Sequence, residues 1–233
     1  MICGSTLKWA TSGSILWGVG EIAGNMPFLQ EDVKPLHVAA VRGPLTRKRL
    51  MSANIPCPEI FCDPAFVLPS YYEPAPPLKK YRIGVIPHYI DQGLPALSHL
   101  QSMEDVRVID ITQKDVPEHK RIYSFIEDVC SCDLIVSSSL HGVILADAYG
   151  IPSKWMVLSD KVFGAGFKFQ DYFLSIEQGA RANHPVTDVK NIDEVVEQVQ
   201  SDYAQFGRAV ANVDGYIKAF PGTTKPLETD TKR

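Results

Sequence analysis

Asp133-Leu134-Ile135-Val136-Ser137-Ser138-Ser139-Leu140-His141-Gly142-Val143-Ile144-Leu145-Ala146-Asp147-Ala148-Tyr149-Gly150-Ile151-Pro152-Ser153 is the stretch on which the fold turns. Leu134 to Val136 is a short continuous apolar run, as in a strand buried on both faces. Ser137 to Ser139 makes a small polar turn, and a helix opens at Leu140 or His141. Its apolar side chains (Leu140, Val143, Ile144, Leu145, Ala146, Ala148) point nearly all round, so burial is predicted on every side. Gly150 stops the helix and Pro152 forbids its continuation. Ser139 is a good N-cap residue, and the first turn exposes N–H groups that no helical carbonyl satisfies. Such an end favours an anion, and His141 stands beside it. That pairing suits proton transfer; the alternative is a histidine that only hydrogen-bonds within a packed turn.

On either side of this unit, strand-like and helical runs alternate. Upstream come strands at 14–17 and 36–41, a helix at 44–51 and a strand at 59–62. Residues 71–80 hold three prolines, two tyrosines and two lysines and read as a linker. Then follow a strand at 82–87, a helix near 94–101, a strand at 106–111 and a helix near 119–130. Downstream, 153–158 is a further strand. Residues 191–220 are strongly helical, with Ile192, Val195, Val196, Val199 and Tyr203 on one stripe. Strands separated by helices mean parallel sheets with right-handed crossovers. The expected division is a first α/β half at 1–75, a second at 81–190, C-terminal helices at 191–220 and a flexible tail at 221–233.

With 233 residues, 45% hydrophobic and 21% charged, the chain can build a sizeable core. The net charge of −4 argues against a general nucleic-acid or anionic-membrane binder, so an anionic ligand must be held by local cations and helix ends. No run reaches the ~20 apolar residues of a membrane span. The first twenty residues are not patterned as a signal peptide, which points to a cytoplasmic protein, or one peripheral to the inner face of the membrane. Five cysteines form no disulfide framework, and Cys130-Ser131-Cys132 is too close for a zinc knuckle. Reduced, mostly buried thiols are expected. The six histidines show no metal spacing, so no metal is predicted.

Four elements invite a ligand. Trp17-Gly18-Val19-Gly20-Glu21 lets backbone approach closely, but lacks the third glycine of a dinucleotide fingerprint; it is a ligand-facing turn or merely a tight one. Arg42 ends a predicted parallel strand, on the sheet edge where open α/β folds bind ligands, and could grip a carboxylate or phosphate at two points. A loop salt bridge is the plain alternative. Arg47, Lys48 and Arg49 read as a solvated helix face. Lys161 should emerge on the same edge as His141 and suits a phosphate as a point charge, with Lys168 a nearby competitor. His88, after Pro87, ends the first strand of the second half and could line a cleft.

Ser138-Ser139-Leu140-His141-Gly142, the buried helix behind it and Tyr149-Gly150-Ile151-Pro152-Ser153 together resemble the signature of the polysaccharide pyruvyl transferases. Val41-Arg42-Gly43-Pro44-Leu45-Thr46 is similar to that family's arginine-bearing turn. Ser159-Asp160-Lys161-Val162, with residues 167–172 behind it, is similar to its lysine segment. Asp63-Pro64-Ala65 and Ile86-Pro87-His88-Tyr89 are weaker companions, and the resemblance covers about residues 14–175.

The family resemblance implies two Rossmann-like parallel-sheet halves facing a cleft, in the GT-B manner. Members usually carry a further strand–helix unit at the start, so the N-terminal half looks shortened. The implied reaction forms a cyclic pyruvate ketal on a sugar, free or lipid-linked, with phosphoenolpyruvate as co-substrate and no other cofactor. His141 would be the general acid, protonated mainly when the donor arrives. Arg42, Lys161, Lys168 and His88 would hold the donor, with Ser139 and the N–H groups of Leu140 to Gly142 helping. Several members have Arg where Ser139 stands, which leaves more of the charge to Arg42 or Lys168. Arg42, His88, His141 and Lys161 should then share one pocket, and Gly142→Leu should harm binding more than folding. The competing readings are a GT-B glycosyltransferase using a nucleotide sugar, for which no clear diphosphate cradle is present, and a non-catalytic sugar-binding remnant.

Overall fold

The computed structural model describes residues 1, 3–24, 33–75 and 79–222. The chain is α/β, and among the described residues the strand pairings are all parallel. In the first sheet β1 (Ile15–Val19) lies beside β2 (His37–Val41), and Val41 forms a further parallel bridge to Phe61. The second sheet holds β3 (Tyr81–Ile86), β4 (Val106–Val108), β5 (Cys132–Ser137) and β6 (Ser153–Trp155) in the order β4-β3-β5-β6. Around them stand α1 (Pro44–Ser52), α2 (Arg121–Cys130), α3 (Leu140–Ala148), α4 (Phe167–Ser175), α5 (Ile192–Phe206) and α6 (Val213–Lys218).

The order of the second sheet decides where chemistry can sit. From β3 the chain runs out to β4 on one side, then returns to place β5 and β6 on the other. The carboxyl ends of β3 and β5 therefore flank a topological switch point, where Rossmann-like sheets open a ligand crevice. Ile86 and Ser137 are register partners there, and His88 and Ser139 follow them. Close approach of β3 to its surroundings needs a residue without Cβ at 84, because one would come within 2.5 Å of Ile135 Cδ1 and 2.8 Å of Cys132 Sγ.

Helix α3 is buried as its composition predicts: eight of its nine residues are inaccessible, Asp147 included. Asp147 is tolerated because Ser153 Oγ, Tyr172 Oη and Arg181 all donate to it. The stripe on α5 buries Ile192, Val195, Val196 and Val199 against β3 and β5, while Tyr203 lies at its edge.

Several expected elements differ. Residues 59–62 contribute only the single bridge at Phe61, since Pro58 and Pro64 bracket the segment and limit its pairing. Residues 94–101 form two short 3₁₀ turns, Pro95–Leu97 and Leu100–Ser102, which still bury Leu97 and Leu100. The helical region at 191–220 is interrupted at Gly207, whose φ of 71° ends α5. Within the linker, residues 76–78 lie outside the described residues, as do 223–233 of the tail. Among the described residues no helix is long and apolar enough to cross a membrane. All five cysteines are free thiols, four of them buried.

Candidate active site

His141 occupies the first turn of α3, with its side chain two-fifths exposed. Its Nε2 lies 3.7 Å from Asp63 Oδ2 and 3.4 Å from Cys3 Sγ. Asp63 is fully buried, and only its Oδ1 is engaged, accepting from the Ala65 amide at 3.0 Å. Oδ2 has no hydrogen-bond partner. Desolvation alone would lower the His141 pKa, but the facing carboxylate, with Cys3 adding to it, raises it from 6.5 to about 10. The facing carboxylate favours the imidazolium without a bound donor, whereas the sequence alone points to the arriving phosphate as what protonates the ring.

The turn before α3 is fixed from within. Ser137 Oγ lies 2.8 Å from Ser139 O and 3.0 Å from Ile86 O, so its one proton is shared between these two acceptors, and it accepts from the Ser139 amide. Ser138 Oγ accepts from the His88 amide at 2.7 Å and donates to the buried Asp91 at 3.1 Å. Ser159 Oγ donates to the other oxygen of Asp91 at 2.5 Å. These bonds clamp the ends of β3 and β5 and the loop after β6 to one another.

Beside this turn opens a cavity of about 460 Å³, within the usual range for small-ligand sites. Ser138, Trp155, Phe163, Gly164, Lys168 and Phe169 are among the residues lining it. The loop ahead of α4 is unusual, since Gly164, Ala165 and Gly166 all have positive φ (100°, 44° and 81°). Gly166 needs that freedom, and a Cβ there would come within 2.4 Å of the Trp155 ring. Lys168 is buried in the first turn of α4, and no acidic group pairs with it among the described residues. Desolvation, with the Arg42 charge nearby, lowers its pKa from 10.5 to about 8. Its charge in turn helps lower the pKa of the half-buried His88, after desolvation, against an upward pull from Asp91. An unpaired buried ammonium on a cavity wall is a ready partner for an anion.

A family model for polysaccharide pyruvyl transferases matches residues 13–157, more than half of the chain. The chain belongs to the polysaccharide pyruvyl transferase family. It is 29% identical over 158 residues to the succinoglycan biosynthesis protein ExoV of Rhizobium meliloti (strain 1021), covering 66% of this chain and 45% of that one. It is 35% identical over 94 residues to the uncharacterized protein L143 of Acanthamoeba polyphaga mimivirus, covering 40% of this chain and 31% of the relative. The matches therefore span less than half the length of either relative. No solved structure matches.

Against this family background, the positions expected from sequence sort unevenly. Lys168 and the turn carrying Ser138 reach the cavity, and His88 stands beside them. Lys161 is exposed on the loop, and Arg42, His88, His141 and Lys161 are not among the residues lining this cavity. Arg42 is fully buried and its guanidinium is committed: Nε and Nη2 donate to Asp171, Nη2 also to Glu21 O, and Nη1 to Ser5 Oγ. These bonds give Arg42 a part in holding the fold together. Arg47 and Arg49, on the helix face expected to be solvated, are partly exposed and also bond Cys57 O and Glu21, whereas Lys48 is exposed. Gly20 is a packing glycine, since a Cβ would come within 2.2 Å of Arg42 Cζ.

The helix start also differs from expectation. Ser139 takes the N-cap position, yet its side chain makes no capping bond. Leu140 packs into the core, and the Gly142 amide already donates to Ser139 O at 3.1 Å. The first-turn donors left for a ligand are those of Leu140 and His141. Gly142 serves packing, because a Cβ would come within 2.3 Å of Ser137 Oγ and 3.1 Å of Ile86 Cδ1. Asp63 and Asp171 were missed as partners of His141 and Arg42. Asp63-Pro64-Ala65 gave a weak signal; Asp171, inside an aromatic helix, gave none.

Proposed function

We propose that this protein catalyses pyruvyl transfer from phosphoenolpyruvate to a sugar of a polysaccharide or its lipid-linked precursor, at a GT-B-like cleft beside α3. The observation that supports the reading is the 3.7 Å approach of the buried Asp63 carboxylate to His141 Nε2, a pairing that favours the imidazolium, with Lys168 lining the cavity beside the same turn. The donor needs a proton on its methylene carbon and fixed positive charge on its carboxylate and phosphate. Nε2 faces the Asp63 carboxylate at 3.7 Å, so Nδ1 is the nitrogen we assign to deliver the proton. Protonation makes C2 oxocarbenium-like. Attack by two hydroxyls with loss of inorganic phosphate closes the ketal; one hydroxyl proton restores His141 and the other leaves with phosphate. Lys168 and the Leu140 and His141 amides stabilise the departing phosphate.

Thermal-shift titration tests this directly. Phosphoenolpyruvate should raise the melting temperature of the wild type and of His141→Gln alike, but not that of Lys168→Met. Stabilisation by nucleotide sugars alone would overturn the reading in favour of a glycosyltransferase. No response to any donor would favour a sugar-binding remnant.

A further inference from the structure

We propose that Cys3, Asp63 and His141 form a binding site for a divalent transition metal of the zinc type. Among the described residues these three side chains bring one thiol sulfur, one carboxylate oxygen and one imidazole nitrogen within 4.8 Å of one another. Their spacing matches a coordination sphere. Four-coordinate zinc, with arms of about 2.0–2.3 Å, places neighbouring ligand atoms about 3.3–3.6 Å apart. Cys3 Sγ to His141 Nε2 is 3.4 Å, and His141 Nε2 to Asp63 Oδ2 is 3.7 Å.

Two further observations point to a ligand. Asp63 Oδ2 is buried and without a hydrogen bond. The only cationic group the structure gives it among the described residues is His141, too far at 3.7 Å to donate a hydrogen bond, so a directly coordinated cation would complete it better. Oδ2 faces the same ring nitrogen as the cysteine sulfur. A nucleophile–base–orienter relay would place thiol and carboxylate on opposite nitrogens, so this geometry does not support a cysteine hydrolase. Thiol and carboxylate instead flank one nitrogen, and with His141 two-fifths exposed a metal held by the three would have water or substrate as its fourth ligand.

Binding would displace the thiol proton and any proton on Nε2, so affinity should rise with pH. The proposal stands apart from the transfer reaction. If both hold, metal and proton compete for His141, and zinc silences transfer.

The test is direct titration of the chelator-stripped full chain with zinc by calorimetry and with cobalt(II) by absorbance. One site per chain should appear, with a sulfur-to-cobalt charge-transfer band and the intense visible bands of tetrahedral cobalt. Cys3→Ser, at an exposed position, should fold normally, lose the charge-transfer band and bind on the order of tenfold or more weakly. Asp63→Asn retains an acceptor for the Ala65 amide and should weaken binding similarly. Absence of the band in the wild type, its persistence in Cys3→Ser, or unchanged affinity in Asp63→Asn would each overturn the site. These readouts do not involve turnover, so failed transfer activity leaves them unaffected.

Discussion

A buried carboxylate oxygen 3.7 Å from a partly exposed imidazole favours the protonated form of His141, and pH experiments can read it. With the His141 pKa raised from 6.5 to about 10, the Asp63–His141 attraction stabilises the fold fully below about 6.5 and is lost as pH rises through about 10. Turnover needing the imidazolium should follow the same limb, and in Asp63→Asn the loss should move down toward the ordinary histidine range. An unmoved pH–rate profile in that variant would sink the assignment. His141→Ala and His141→Gln should both lower turnover by ~10²–10⁴-fold, about 3–5 kcal/mol of barrier. A His141→Gln protein with near-native turnover would leave His141 a packing residue. Lys168 has the opposite perturbation: its pKa of about 8 means that anion binding should weaken as pH climbs past 8. Lys168→Met should cost donor affinity on the order of tenfold or more, ~1.5–3 kcal/mol, measured by calorimetry. His141 was visible in the sequence because a histidine at the start of an all-apolar helix stands out. Its partner was not, because nothing local in Asp63-Pro64 says that residue 63 faces residue 141.

Helix α1 shows how an element can take its cap from a distant part of the chain. Gly43 at its N-cap offers no side chain, and Asp171 from α4 supplies the acceptor instead, taking the Leu45 and Thr46 amides at 2.9 and 3.0 Å and the Thr46 hydroxyl at 2.7 Å. The same carboxylate pairs with Arg42 at 3.0 Å, both side chains being fully buried. Gly43 admits this close approach, since a Cβ there would come within 2.1 Å of the Asp171 backbone carbonyl oxygen and 2.6 Å of its carboxylate Oδ1. Removing one member of a buried pair leaves the other uncompensated, so Arg42→Ala should destabilise by ~3–5 kcal/mol in denaturant melts. Arg42→Lys should recover little, because a point charge cannot make the two-point contact. A stable Arg42→Ala protein with weakened donor binding would instead restore the direct gripping role expected from sequence. Gly142→Leu, expected from sequence to fold, should now unfold the start of α3 by overpacking Ser137, at ~1–3 kcal/mol or more. The boundaries of α1 and α3 were legible because proline and glycine punctuate them. α4 was not, because Phe167 to Phe173 lacks a cap and its helical role comes from burial of Phe169, Tyr172 and Phe173.

At the scale of the molecule, the two parallel sheets are held together by more than the linker at 71–80. One apolar cluster contains Ala40, Cys62 and Phe66 from the first part of the chain and Leu140, Val143, Phe169 and Tyr172 from the second. Helix α6 closes the circuit: the buried Tyr216 stacks on Trp17 of β1 with ring centroids 4.0 Å apart, while Trp17 Nε1 donates to Tyr216 O at 2.8 Å. The alternation of strands and helices predicts the parallel sheets, but no local pattern announces that a helix near residue 216 returns to residue 17. Shared burial of this kind predicts one cooperative unfolding transition, with tryptophan fluorescence and far-ultraviolet circular dichroism coinciding. Tyr216→Ala removes a fully buried aromatic and should cost ~3–5 kcal/mol. Because the cluster is continuous, that loss should lower the midpoint of the whole molecule. A Trp155→Phe background checks this, leaving fluorescence to report the first sheet while circular dichroism reports mostly the helices packed on the second. If Tyr216→Ala shifted only the fluorescence transition and left the dichroism melt in place, the halves would be independent and the crevice beside α3 would rest on the second sheet alone.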